Sequence, residues 1–146
     1  MKSEEIVINN TGLTVLGFPL GFKPTARDFD LALEGEVIRS NSTATRGREL
    51  RICDAKGLTW LVNMDCGAAI WLDVRLAPLH YRKMSEADPS DCFKGKVHIG
   101  QYTLQGPFSF ETGEIVRQVE IVGLSLSLLP DEKRIRAITV AFQVET

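Results

Sequence analysis

Three cysteines, Cys53, Cys66 and Cys92, and two histidines, His80 and His98, are the residues of this 146-residue chain best suited to nucleophilic, redox or metal chemistry. A nucleophile needs an activating base, and no nucleophile motif surrounds any of the three thiols. The cysteines are odd in number, far apart and without Cys-x-x-Cys spacing, so free buried thiols are the reading they favour over a zinc site or a redox pair. Cys66, in the turn Asp65-Cys66-Gly67, is the one thiol with a claim to exposure. His80 lies in a loop beside Tyr81 and His98 in an alternating strand pattern; neither has a second histidine at metal-ligand spacing. The glycines form no phosphate loop or dinucleotide fingerprint. The expectation is therefore a non-enzyme, with no catalytic residues, no cofactor and no metal.

Carboxylates offer a different chemistry. They gather in Asp28, Asp30, Glu34 and Glu36, then in Glu86, Asp88 and Asp91, then in Glu111 and Glu114. Such clusters read first as solvated faces, and second as acidic patches that steer a basic partner and repel wrong ones. Two tryptophans stand in neighbouring strand patterns. Trp60 shares a face with Leu58 and Val62 and belongs in the core, whereas Trp71 alternates with Ala69, Asp73 and Arg75, so it either anchors an interface or lies under a linker. The candidate partner-binding set is Asp28, Asp30, Glu34, Glu36, Trp71, Asp73, Glu86, Asp88 and Asp91.

The elements that must position these residues follow from periodicity. Glu5 to Asn9 and Leu13 to Leu16 are Ile/Val-rich runs about the turn Asn-Asn-Thr-Gly, an opening hairpin. Thr25 caps a helix, with Asp28 three residues on returning a hydrogen bond; Ala26, Phe29, Ala32 and Leu33 give the helical face, and Gly35 stops it. One helix of about ten residues is expected. Glu36 to Arg39 reads as extended, Ser40 to Arg48 as an exposed polar loop, and Glu49 to Cys53 as a strand.

Leu58 to Met64 and Ala69 to Leu76 form a well-patterned hairpin, with Leu58, Trp60, Val62 and Met64 on one face and Ile70, Leu72, Val74 and Leu76 on one face of its partner. Residues 77 to 94 lose periodicity and read as a connection. Lys96 to Leu104 holds one or two strands, Gly106 to Gly113 a turn region, and Glu114 to Leu129 one or two more. Pro130 to Lys133 turns into a last strand, Arg134 to Val144.

The second hairpin echoes the first at an offset of 66 positions. Gly57/Gly123, Leu58/Leu124, Asp65/Asp131 and Val74/Val140 are identical, and Thr59/Ser125, Val62/Leu128 and Leu72/Ile138 are alike in kind. Upstream, Gly35-Glu36-Val37-Ile38-Arg39 is matched by Gly113-Glu114-Ile115-Val116-Arg117. The fold class expected is α+β, mainly antiparallel β, in a single domain spanning 1–146. Within it a strand-strand-helix-strand-strand-strand unit is duplicated, in pseudo-repeats 5–76 and 94–144 joined by loop 77–93. The helix of the second copy is reduced to Gly113 to Val119.

Composition narrows the class. With 44% hydrophobic and 25% charged residues the chain is neither disordered nor fibrous, and at this length about 70% of the unfolded surface can be buried. A net charge of −2 gives no basic stripe for phosphates, so a nucleic-acid partner is not expected. No apolar window reaches the roughly 18 residues of a membrane span, and acidic residues stand where a secretory signal carries basic ones; a cytoplasmic location without membrane contact is expected.

The order of elements in residues 5 to 76 resembles an uncharacterised domain of small bacterial proteins, some of them neighbours of toxin genes. It is carried by the helix Thr25 to Leu33 closing in Glu-Gly-Glu-Val, the Gly-Leu strand, a turn and a last strand. The resemblance implies an immunity protein: a cytosolic antidote that binds and neutralises the toxic domain of a secreted antibacterial effector. An acidic antidote suits a basic toxin, such as a nuclease. The alternative is a non-catalytic interaction or oligomeric structural module unrelated to toxins, for which a homodimer is one form; a small-molecule enzyme comes third.

Overall fold

The computed structural model describes residues 4–42, 47–76, 89–105, 124–131 and 134–142. Eleven described strands and one α-helix form two sheets: β1 (Glu5–Asn9), β2 (Gly12–Val15), β3 (Phe18–Gly21), α1 (Ala26–Ala32), β4 (Arg39–Ser42), β5 (Arg48–Cys53), β6 (Leu58–Asn63), β7 (Ala69–Arg75), β8 (Lys96–Ile99), β9 (Tyr102–Gln105), β10 (Ser125–Asp131) and β11 (Arg134–Ala141). One sheet runs β3-β2-β1-β8-β9 and the other β10-β11-β7-β6-β5-β4. The class is α+β and mainly antiparallel; the described exception is the parallel pair β1–β8, which matches Ile6 with Val97 and Ile8 with Ile99.

The helix forms where its capping box requires. Asp28 N–H donates to Thr25 Oγ1 at 3.3 Å and Thr25 N–H to Asp28 Oδ2 at 2.9 Å. At seven residues α1 is shorter than the periodicity suggests, because Leu33 already leaves helical geometry. Its inner side chains Phe29, Ala32 and Leu33 are buried, and Phe29 stacks on Trp60 with ring centroids 5.1 Å apart and planes at 13°. Ile6, Ile8, Leu13 and Val15 of the five-stranded sheet and Leu58, Leu72, Val74, Ile138 and Val140 of the six-stranded sheet join them in one core.

Two strands were not expected. β3 follows Leu16, at φ 51°, and Gly17, at φ 86°, whose positive dihedrals turn the chain back on β2. β4, Arg39–Ser42, starts at the end of the run Glu36 to Arg39 expected to be extended and continues into the expected loop; as the outermost described strand of its sheet it can be wholly polar. The first half thus carries three strands before its helix and four after it. Residues 77–88 and Gly106 to Gly123, including the second helix expected at Gly113 to Val119, lie outside the described residues, as do the first part of the connection and the hairpin's end beyond Phe142.

The two hairpins related by the 66-residue offset, β6–β7 and β10–β11, meet in one sheet through β7 and β11. Those strands pair antiparallel so that Asp73 faces Thr139, its own counterpart under the offset. The offset does not extend to the outer strands: β6 pairs Thr59 with Asp73, whereas β10 pairs Ser127, not Ser125, with Thr139, so the two hairpins differ in register by two residues. The parallel pair β1–β8 does not obey a two-fold normal to its own sheet.

Candidate functional site

Antiparallel partners share a face, so the ladders sort the six-stranded sheet into two surfaces. Arg51, Trp60, Leu72 and Val140 lie in one row, and Cys53, Leu58, Val74 and Ile138 in the next; both point toward α1 and the core. On the opposite, outward face the rows are Leu50, Leu61, Trp71, Ala141 and Ile52, Thr59, Asp73, Thr139, with Arg75 opposite Ala137. A register shift between Leu61 and Val62 turns Ala69 inward and leaves Trp71 outward. The alternation read from the sequence is thus right for Trp71 and wrong for Ala69.

The outward face is mixed in chemistry. Ile52, Thr59, Leu61 and Ala137 are buried on it, while Leu50, Trp71, Asp73, Arg75, Thr139 and Ala141 are partly exposed. Along β7 the large side chains Trp71, Asp73 and Arg75 alternate outward beside the small Ala141, Thr139 and Ala137 of β11. A ridge therefore borders a shallower strip. Asp73 is oriented by Thr139 Oγ1, which donates to its Oδ1 at 2.9 Å. Thr59 Oγ1, in the same row, is buried and has no hydrogen-bond partner among the described residues.

Among the described residues the acids do not gather on one surface. Asp28 spends its carboxylate on the helix cap. Asp30 Oδ1 lies 3.6 Å from Arg51 Nη1, and Glu36 Oε1 lies 3.9 Å from Lys56 Nζ. Glu34 is exposed at the end of α1 and takes part in an interaction of its own. Asp91 accepts from the Cys92 N–H at 2.8 Å and pairs with Lys94 at 3.1 Å; burial would raise its pKa, but those two donors outweigh it and the carboxyl titrates below its ordinary value. The α1 acids sit on the inward side of the sheet and Asp73 on the outward side, so the set divides between two faces. Glu86 and Asp88 lie outside the described residues.

Cys53 and Cys92 are buried, and burial pushes both thiols above the usual cysteine range, away from thiolate chemistry. Cys66 is exposed in its turn, so the thiols are not all buried as expected. Among the described residues no three His, Cys, Asp or Glu side chains converge as metal ligands, and no helix is long and apolar enough to cross a membrane.

One constellation was invisible in the sequence. His98 Nδ1 lies 3.1 Å from Thr103 Oγ1, and His98 Nε2 lies 3.4 Å from Glu5 Oε1. The three residues come from β9, β8 and β1, and only the parallel pairing of β1 with β8 brings Glu5 to the imidazole. A parallel partner 91 positions away leaves no local sequence signal. No protein-family model, curated protein or solved structure matches the chain.

Proposed function

We propose that the chain acts by binding a protein partner through the outward face of the six-stranded sheet, and that the partner is the toxic domain of a secreted bacterial effector. The observation that supports a binding role is the outward ridge of β7. Trp71 offers a large aromatic surface that is only partly covered, Asp73 is held in one orientation by Thr139, and Arg75 completes the strip. Tryptophan and arginine are the residue types that most often dominate binding energy when a partner excludes water from them. The toxin reading rests on the resemblance of residues 5 to 76 to a domain found near toxin genes, together with the mildly acidic balance of −2, which favours a basic partner.

An immunity protein works by occupancy. It needs a rigid surface rather than a reactive group, and a six-stranded sheet braced by Trp60 and Phe29 supplies one. Coexpression of the chain with the toxin encoded beside its gene tests the reading. A stable complex that weakens with salt, and rescued growth, are expected; a toxin that kills undiminished and never co-purifies would remove the immunity function. A module that self-associates instead would elute from a sizing column as a dimer whose formation Trp71→Ala abolishes.

A further inference from the structure

A hydroxyl, an imidazole and a carboxylate stand in line across three strands of the five-stranded sheet. Thr103 is exposed, and the His98 and Glu5 side chains keep 29% and 44% of their surface, so solutes reach all three. Neutral imidazole with its proton on Nε2 donates toward the Glu5 carboxylate and leaves Nδ1 to accept from the Thr103 hydroxyl. That is the order nucleophile, base and orienting carboxylate.

The hairpin supplies a further group. β8 and β9 are joined by the two-residue turn Gly100-Gln101, with Gly100 at φ 59°, and Ile99 faces Tyr102 as the pair that closes it. The closing pair of such a turn is hydrogen-bonded, so the next pair, His98 and Thr103, is the non-hydrogen-bonded one. Its side chains approach most closely, and its backbone groups point away from each other. β9 is the outermost described strand of its sheet. The N–H of Thr103 is thus directed past that strand, next to its own hydroxyl, where an amide can receive a developing oxyanion.

We propose that Thr103, with His98 as its base and Glu5 as a positioning residue, is a nucleophilic centre that accepts the acyl group of small activated esters. The Thr103 oxygen bonds to the ester carbonyl carbon as its proton passes to His98 Nδ1. The tetrahedral oxyanion collapses, the bond to the alcohol oxygen breaks, and that oxygen takes the proton from Nδ1, leaving acyl-Thr103. Water attacks the acyl carbon with His98 Nδ1 again taking the proton, the bond to the Thr103 oxygen breaks, and that oxygen takes the proton from Nδ1, giving the carboxylic acid and free Thr103. One amide donor on an open face stabilises little oxyanion, which restricts the chemistry to esters with good leaving groups and short acyl chains rather than amides. This inference is independent of partner binding on the other sheet.

The test is p-nitrophenyl acetate turned over by the full chain, followed by peptide mass spectrometry. A burst of roughly one equivalent of nitrophenolate is expected, with the acetyl group on Thr103. The burst rate should fall at least about a hundredfold in Thr103→Val and His98→Gln, the scale general-base assistance contributes. Glu5→Gln should slow the burst by a smaller factor and shift its pH profile, which a merely structural glutamate would not do. Matching thermal melts of the variants separate chemistry from folding. A wild-type rate no faster than Thr103→Val, or an acetyl group found on Lys96 or Cys66 instead, overturns the proposal.

Discussion

Asp54 is held from two sides. Arg39 Nε donates to Oδ2 at 2.6 Å and Nη2 to Oδ1 at 3.1 Å, while the Ser90 N–H donates to Oδ1 at 2.8 Å. The Arg39 bond holds this carboxyl below the usual aspartate range against a partial burial that would raise it. A folded carboxyl more acidic than the unfolded one contributes stability that is fully present above the unfolded pKa, about 3.9, and disappears as the pH falls through the folded value. Urea midpoints measured from pH 7 to pH 2 should therefore converge for wild type and Asp54→Asn at the acid end, with a gap of about 1 kcal/mol at neutrality.

Lys56 has the opposite sign. Its ammonium, bonded to Glu4 at 2.6 Å with Glu36 beyond, is raised above the ordinary lysine value chiefly by the Glu4 bond. Its contribution is complete below about 10.5 and is lost as pH rises through the folded value, so Lys56→Met should lose its deficit only in strong alkali. At Thr59 the buried hydroxyl has no partner among the described residues, and Thr59→Val should raise stability by about 1 kcal/mol in the same urea titration.

At the scale of elements, the hairpin β6–β7 depends on the short turn before it. Gly57 adopts φ 66°, and a Cβ there would lie 2.6 Å from Phe93 N and 2.7 Å from Cys92 Cα. The dihedral alone costs a non-glycine residue about 1–3 kcal/mol, and the backbone contact cannot yield, so Gly57→Ala should lower the thermal midpoint more than Thr25→Ala, which removes one cap worth about 1 kcal/mol. The helix and both hairpins were legible in the sequence because each is specified by neighbours: a capping box at Thr25 and Asp28, and period-two alternation through Leu58, Trp60 and Val62. β3 and β4 were not, since Pro19 and Arg39-Ser40-Asn41 carry no apolar alternation and their strand character comes only from pairing with β2 and β5. The inward turn of Ala69 likewise needed the register shift opposite Leu61, which no spacing rule reveals.

At the scale of the whole molecule, the candidate site was half legible. Trp71 outward and Trp60 inward followed from alternation, but the acids of α1 and Asp73 were grouped by sequence proximity and charge, and the sheet interposes itself between them. The pair Asp73 and Thr139 follows the 66-residue offset, but the β10–β11 register is two residues away from the one that the offset requires of β6–β7. Because the two residues face each other across the pair, exchanging them as Asp73→Thr with Thr139→Asp should preserve their bond, and the double variant should melt closer to wild type than either single variant.

Whether the outward ridge is an interface is decided by calorimetric titration of the chain into the toxic domain proposed as its partner. Trp71→Ala should weaken binding by at least about 2 kcal/mol, some thirtyfold, while remaining folded at the titration temperature, and Asp30→Ala on the opposite side of the sheet should bind as wild type. Undiminished affinity in Trp71→Ala together with a loss in Asp30→Ala would contradict the account and move the interface to α1.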